Sequence, residues 1–193
     1  MSAPDLAAEL CAAQGALSAE HRARLRGLGI PDLMLAIGFV GVARIDLDRS
    51  GRRYQPAEAG DEVFLTPARI GNPVSPEDPD FELIAQYGEL IDLVAWLPDY
   101  PDRWATRRGL ATWLGAISPQ LVLPPAVPIR RSVLAWLRAG ATGLCLIPEK
   151  PGEAERALSF CQAIEAEDPA HAGELRRLLE RPFKGPLVTV RAA

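Results

Sequence analysis

The chain contains few cysteines and histidines, the residues that most often bind zinc. It has three cysteines and two histidines among 193 residues. Cys11, Cys145 and Cys161 lie far apart, form no CxxC pair and stand at no metal-binding spacing from His21 or His171. We therefore expect three free thiols that are buried or half-buried, no structural zinc and no bound cofactor.

Sequence motifs of the common enzyme classes are also missing. The chain has no glycine-rich dinucleotide fingerprint, P-loop, GxSxG elbow or HExxH pattern. A serine–histidine catalytic set would need one of the two histidines. We expect His21 to be exposed on a helix and His171 to lie in a solvated turn. No residue is predicted to be catalytic, and the sequence favours a non-enzymatic protein.

Long apolar runs are absent as well. No stretch approaches the ~20 residues that cross a bilayer. Asp5 and Glu9 interrupt the N-terminal stretch, which also lacks the basic residues of a signal peptide. We expect a cytoplasmic protein that does not enter the membrane. Hydrophobic residues make up 48% and charged residues 24% of the chain, a balance typical of globular rather than disordered proteins.

The net charge of -4 conceals an uneven distribution along the chain. Residues 46–102 carry thirteen acidic and four basic side chains, whereas residues 103–148, the arginine segment, carry six arginines and no acidic residue. Arginine suits bidentate contacts with phosphate, but this segment can equally pair with the acidic residues that precede it. The candidate residues for contact with nucleic acid or a partner are Arg103, Arg107, Arg108, Arg130, Arg131 and Arg138.

The periodicity of the apolar residues changes twice and predicts the α+β class. Residues 1–40 have the spacing of an N-terminal helical region, in which Ser18 is a candidate cap. Residues 41–117 alternate apolar and polar residues between turn signals, which indicates an antiparallel β-meander of four or five strands. Residues 118–193 alternate strands and helices, as in an α/β region. The sequence leaves open whether this region shares one core with the meander.

The arginine segment begins with two tryptophans that bracket two adjacent arginines, in WATRRGLATWLG (residues 104–115). If RWATRRG forms a strand, its side chains alternate between two faces, and Trp104 packs into the sheet. Trp113 falls in a short apolar stretch and is also expected to be buried. We therefore predict that the tryptophans lie in the core and that the arginines lie outside.

The stretch IEAEDPAHAGELRRLL (residues 164–179) resembles the last acidic motif of the toprim-like domains of phage and plasmid primases. In both, a strand ends in acidic residues and runs into a helix near an Ala-Gly pair. The segments RYQP, VFLTPARI and IDLVAW are similar to the sheet that precedes the toprim part of such primases. As a whole, the chain is similar to small proteins encoded in prophages and mobile elements of bacteria with GC-rich genomes.

The resemblance implies a divalent-metal site at Glu165, Glu167 and Asp168, yet the remaining ligands of such a site are missing. Toprim chemistry needs a glutamate after the first strand and an Asp-x-Asp pair that holds magnesium. The corresponding stretch IRRSVLAWLRAG contains no acidic residue, and GLCLIPEKPGEAE supplies Glu149 instead of two spaced aspartates. A toprim-like fold in this chain would therefore be catalytically inactive.

Three functions are compatible with these patterns, in order of preference. The first is a non-enzymatic accessory protein of a phage or mobile-element replication module, which contacts DNA or a replication protein through the arginine segment. The second is a protein–protein interaction module with no nucleic-acid role, in which the arginines pair with acidic residues and the apolar segment DLMLAIGF docks a partner. The third is a divalent-metal-dependent toprim-like enzyme that uses the acidic residues of IEAED.

Overall fold

The computed structural model describes residues 5–70, 88–115, 126–148, 152–159, 161–179 and 187–190. These residues form both helices and strands. The strands form two five-stranded sheets, and three helices precede both sheets in the chain. The predicted α+β class with N-terminal helices is confirmed.

Three helices open the described chain, and the first two have side-chain caps: α1 (Leu6–Gly15), α2 (Ala19–Gly27) and α3 (Asp32–Ala36). The Asp5 carboxylate accepts a hydrogen bond from the N–H of Ala8, and the Ser18 hydroxyl accepts one from the N–H of His21. These bonds satisfy N–H groups that have no partner within a helix. The predicted cap at Ser18 is therefore confirmed.

The first sheet is antiparallel and has the order β2-β1-β3-β4-β5. Its strands are β1 (Gly41–Leu47), β2 (Tyr54–Pro56), β3 (Asp61–Ile70), β4 (Glu89–Leu97) and β5 (Tyr100–Thr106). The sequence predicted this antiparallel sheet. It departs from a simple meander only at β1, which lies between β2 and β3 rather than at an edge.

The first sheet curls until its two edges meet. The N–H of Thr106, at the end of β5, donates to the carbonyl oxygen of Arg52 at 2.9 Å, and Arg53 forms an isolated bridge with Thr106 just before β2 begins. The result is a partly closed barrel. Leu6, Leu10 and Ala13 of α1 pack against the apolar side chains of the barrel interior, which are Ile45, Tyr54, Val63, Leu65, Leu93, Ala95 and Ala105.

The second sheet has the order β10-β9-β7-β8-β6. Four strands are parallel, namely β7 (Val127–Arg130), β8 (Leu144–Leu146), β9 (Ala163–Ala166) and β10 (Leu187–Val190), and β6 (Trp113–Leu114) is antiparallel to β8. The connecting helices are α4 (Val133–Arg138), α5 (Glu153–Leu158) and α6 (Pro169–Leu179). The predicted alternation of strands and helices is confirmed, although β6 falls in the stretch predicted for the meander.

One hydrophobic cluster joins residues from all three parts of the chain. It contains Leu25 and Met34 of the N-terminal helices, Trp96 of the first sheet, and Trp136 and Leu137 of α4. A separate cluster packs α5 and α6 on the opposite face of the second sheet, through Leu158 and Leu175 among others. The two sheets thus pack around one shared core. The boundaries at residues 40 and 117 stay a prediction.

Candidate functional site

The arginine segment does not form one continuous basic surface, because several of its side chains make contacts within the chain. Their charged partners are Glu9, Asp168 and Glu174. All three lie outside residues 46–102, where the sequence suggested that acidic partners would be found. The six arginines therefore have different environments.

Arg107 belongs to the packing between α1 and the barrel. Its Nε donates to Glu9 Oε2 at 2.9 Å, and its guanidinium lies 5.9 Å from the centre of the Tyr54 ring. Tyr54 donates its hydroxyl hydrogen to the other oxygen of Glu9 at 2.9 Å. Burial, followed by the charge of Glu9, raises the pKa of Tyr54 well above its usual value. Arg107 is thus a structural residue.

Arg108 has an exposed side chain, but its backbone is fixed by a buried carboxylate. Asp92 is fully buried and accepts hydrogen bonds from the N–H groups of Leu93, Arg108, Leu110 and Ala111, at 2.7–3.1 Å. This explains the turn within WATRRGLATWLG, because the chain after β5 wraps around the carboxylate. The stretch is chiefly structural.

Arg131 and Arg138 also contact other parts of the chain. Arg131 makes two hydrogen bonds with the carboxylate of Asp168, at 2.6 and 3.1 Å, and its Nε lies 3.5 Å from Glu174. Arg138 donates from Nε to the carbonyl oxygen of Leu28. Arg130 is half-buried at the end of β7. Arg103 is the remaining residue of the six, and it is exposed on β5.

Arg103 stands at an open groove of about 540 Å³ at the mouth of the barrel. The groove, here called the barrel groove, lies where β1 and β4 end and where β3 and β5 begin. Its apolar walls are Ile45, Val63, Ala95 and Ala105, and the side chains around them include Leu47, Arg52, Asp61, Leu97, Tyr100, Asp102, Arg103 and Trp104. Concave sites with apolar walls and a few polar groups are typical ligand sites, including at the mouths of β-barrels.

Two arginine–aromatic pairs flank the barrel groove. The guanidinium of Arg52 lies 4.7 Å from the ring centre of Trp104, and that of Arg103 lies 5.1 Å from the ring centre of Tyr100. Tyr100 is 52% exposed, whereas Trp104 is half-buried and packs against the shared core. Cation–π pairs of this kind hold guanidinium groups in place while leaving N–H groups for an anion.

Sequence analysis missed Arg52 and Tyr100 as members of this site. Arg52 lies in the turn between β1 and β2, more than fifty positions from Trp104 in sequence. Only the curling of the sheet brings that turn to the end of β5. The sequence signal that does point here is the adjacency of arginine and tryptophan at positions 103 and 104.

The acidic residues suggested as weak metal ligands do not form a metal site. Asp168 is held by Arg131 and also accepts the N–H of His171 at 2.8 Å, at the start of α6. The N–H of His171, followed by Arg131, lowers the pKa of Asp168. Within the described part of the chain, no three acidic, histidine or cysteine residues, Glu165 and Glu167 included, are grouped so that they could hold a metal ion.

The expectation that His171 lies in a solvated turn is wrong. Its side chain is 4% exposed, because the first turn of α6 packs into the hydrophobic cluster on the outer face of the second sheet. The Nδ1 atom accepts a hydrogen bond from the N–H of Glu167 at 3.2 Å. Burial, followed by the charge of Arg131, lowers the pKa of His171.

All three cysteines are free thiols, as predicted, but the expectation that each of them is buried or half-buried is wrong for Cys11. Cys11 is exposed, while Cys145 and Cys161 are buried. Burial raises the pKa of Cys145 to about 12 and that of Cys161 to about 11. The two buried thiols are therefore poor nucleophiles at neutral pH.

No protein-family model, curated protein or solved structure matches this chain. The resemblance to toprim-like primases and to mobile-element proteins therefore stays a prediction. Among the described helices, none has both the length and the apolar character needed to cross a membrane.

Proposed function

We propose that the protein is a non-enzymatic nucleic-acid-binding protein that holds a single strand in the barrel groove. The observation that carries the proposal is the placement of two arginine–aromatic pairs, Arg52 with Trp104 and Arg103 with Tyr100, around one open groove. Single-strand binding proteins combine aromatic platforms, on which bases stack, with cationic groups along the backbone. The setting, a phage or mobile-element replication module, rests on the sequence resemblance alone.

The dimensions of the barrel groove favour unpaired bases. Its volume of about 540 Å³ falls within the range of small-molecule sites and suits one or two bases rather than a duplex. The bases of a double helix remain stacked on one another and cannot lie on the exposed ring of Tyr100. We therefore expect preference for single-stranded over double-stranded nucleic acid.

The charges around the groove limit the affinity. Arg52 and Arg103 face Asp61 and Asp102 around the same groove, and the whole chain carries a net charge of -4. Two phosphate contacts on a single strand predict a slope of log K against log salt of about -1.4. Binding should thus be moderate in strength and measurably sensitive to salt.

The test is a fluorescence-anisotropy titration of labelled single- and double-stranded DNA at two salt concentrations. Arg103→Glu should abolish most of the binding, because it places a carboxylate where a phosphate would lie. Arg176→Glu is the matched control, because Arg176 is an exposed arginine on α6, which packs on the second sheet and not on the barrel. Equal loss of binding in both variants, or binding unaffected by salt, would contradict the proposal.

A second candidate function is a protein–protein interaction module without a nucleic-acid role. The ion pairs of Arg107 with Glu9 and of Arg131 with Asp168 favour it, because they use arginines for packing within the chain. In DLMLAIGF, Met34 and Leu35 are buried and Leu33 is 60% exposed, so a partner would contact little of that helix. Absence of DNA binding at low salt would favour this candidate.

A further inference from the structure

A second candidate site lies at the edge of the second sheet where the parallel strands β7 and β9 end. The two strands are neighbours, with Val127 opposite Ile164 and Pro128 opposite Glu165. The chain leaves β7 through α4 to reach β8 on one side, and then returns through α5 to β9 on the other side of β7. In doubly wound sheets, ligands bind beyond the carboxyl ends of the strands at such a reversal.

Charged side chains from both loops meet at this edge. Arg130 ends β7 and is followed by Arg131, which joins the loop after β9 through its two hydrogen bonds to Asp168. Burial raises the pKa of the Cys145 thiol on β8, and the charge of Glu167, which follows β9, adds to that shift. The ion pair of Arg131 with Asp168 thus joins the loops after β7 and β9.

Two buried polar atoms on the elements that meet this edge lack hydrogen-bond partners. They are Nε of Arg130 and Oε2 of Glu155, which are the buried side-chain atoms without a partner among the described residues. Glu155 is only 9% exposed and lies in the first turn of α5, the helix that follows β8. Because α5 follows β8, and β8 is parallel to β7, the helix begins at the edge of the sheet where Arg130 ends β7. A buried polar atom without a partner costs stability, and a bound ligand is one reason to keep it.

We propose that this edge binds a small phosphorylated ligand with free hydroxyl groups, of the kind a nucleotide provides. Arg130 is the main phosphate ligand, because the charge of Arg131 is already balanced by Asp168 and Glu174. A guanidinium binds phosphate through paired N–H groups. The carboxylates of Glu155 and Glu167 accept hydrogen bonds from the hydroxyls, as acidic side chains do with ribose. This site is separate from the barrel groove.

Isothermal titration calorimetry with AMP, adenosine and inorganic phosphate tests the proposal on the full chain. We expect AMP to bind more tightly than either fragment, because only AMP offers both the phosphate and the hydroxyls. Arg130→Met and Glu155→Leu should each weaken AMP binding at least tenfold while leaving the melting temperature unchanged or raised. Arg176→Met, the matched control on α6, should leave AMP binding unchanged.

Arg103→Glu separates this proposal from the one for the barrel groove. If AMP binds at the sheet edge, Arg103→Glu leaves its affinity unchanged. If AMP binds in the barrel groove, Arg103→Glu lowers its affinity. No heat with millimolar AMP, or AMP binding that survives both Arg130→Met and Glu155→Leu, would overturn the proposal. Neither result affects binding of single strands in the groove.

Discussion

The buried carboxylate of Asp92 accepts the backbone N–H of Arg108 at 2.8 Å, across sixteen positions of sequence. This bond and those from Leu110 and Ala111 fix the turn that follows β5. The turn directly follows Thr106, whose N–H donates to Arg52 where the two edges of the barrel meet. The position of the barrel groove therefore depends on a residue that does not line it.

Asp92→Asn should lower the free energy of unfolding by about 2–4 kcal/mol, because an amide group presents hydrogens to N–H donors that need an acceptor. Urea denaturation measures the change. Asp99→Asn is the control, since Asp99 is an exposed partner of Arg24 and such pairs contribute only about 0–1 kcal/mol. A loss of equal size in the two variants would contradict the structural role of Asp92.

Gly109→Ala should be more destabilising than Gly140→Ala, although both glycines have a positive φ, of 74° and 66°. A Cβ at position 109 would lie 1.7 Å from the guanidinium of Arg53, which could move away only by giving up its hydrogen bond to Thr106 Oγ1, whereas a Cβ at position 140 would meet nothing within 4 Å. We expect a loss of about 1 kcal/mol at position 140 from backbone strain, and at least twice that at position 109. Thermal or urea denaturation distinguishes the two. Equal losses would mean that Arg53 moves aside freely.

The Arg107–Glu9 pair should have a larger coupling energy than the Arg24–Asp99 pair. The side chains of the first pair are 20% and 15% exposed, against 48% and 72% for the second. Double-mutant cycles with Arg107→Met and Glu9→Gln should give about 1–3 kcal/mol, and the exposed pair less than about 1 kcal/mol. A coupling energy near zero for Arg107 and Glu9 would contradict the structural role of Arg107. Arg107 would then be a candidate for contact with a partner.

His171 should make the protein less stable as the pH falls below about 6.5. Its pKa is lowered in the folded protein relative to its ordinary value of 6.5, so the unfolded chain binds the proton more readily. The contribution of neutral His171 to the free energy of unfolding is fully present above pH 6.5, and it is lost as the pH falls towards the lower pKa of the folded protein. Comparing melting temperatures of wild type and His171→Asn between pH 5 and 8 checks this. The two pH profiles should diverge only below about pH 7, and parallel profiles would contradict the assignment.

Local sequence patterns predicted most of the elements of the fold. Ser18 and Ser132 cap their helices as their residue types suggest, and the alternating run at 41–47 forms β1. The parallel strands of the C-terminal part also follow from the alternation of strand and helix patterns. In each case the signal lies within a few positions of the element that it predicts.

The contacts between distant residues could not be predicted in the same way. Asp92 interrupts the apolar run ELIDLVAWL and has the sequence signature of an exposed strand residue, yet four N–H groups enclose it. The arginine segment showed an excess of charge but not which carboxylates would neutralise it. Likewise, the barrel groove depends on the bridge between Arg53 and Thr106, which local patterns do not encode.

The stacking of an unpaired base on Tyr100 is the central claim, and the affinity of Tyr100→Ala for a single-stranded oligonucleotide tests it most directly. Tyr100 is 52% exposed, so its removal should leave the fold unchanged. Stacking of one base on an aromatic ring contributes about 1–3 kcal/mol, which predicts a loss of affinity of roughly five- to 150-fold. An anisotropy titration that gives the same affinity for wild type and Tyr100→Ala would contradict the claim.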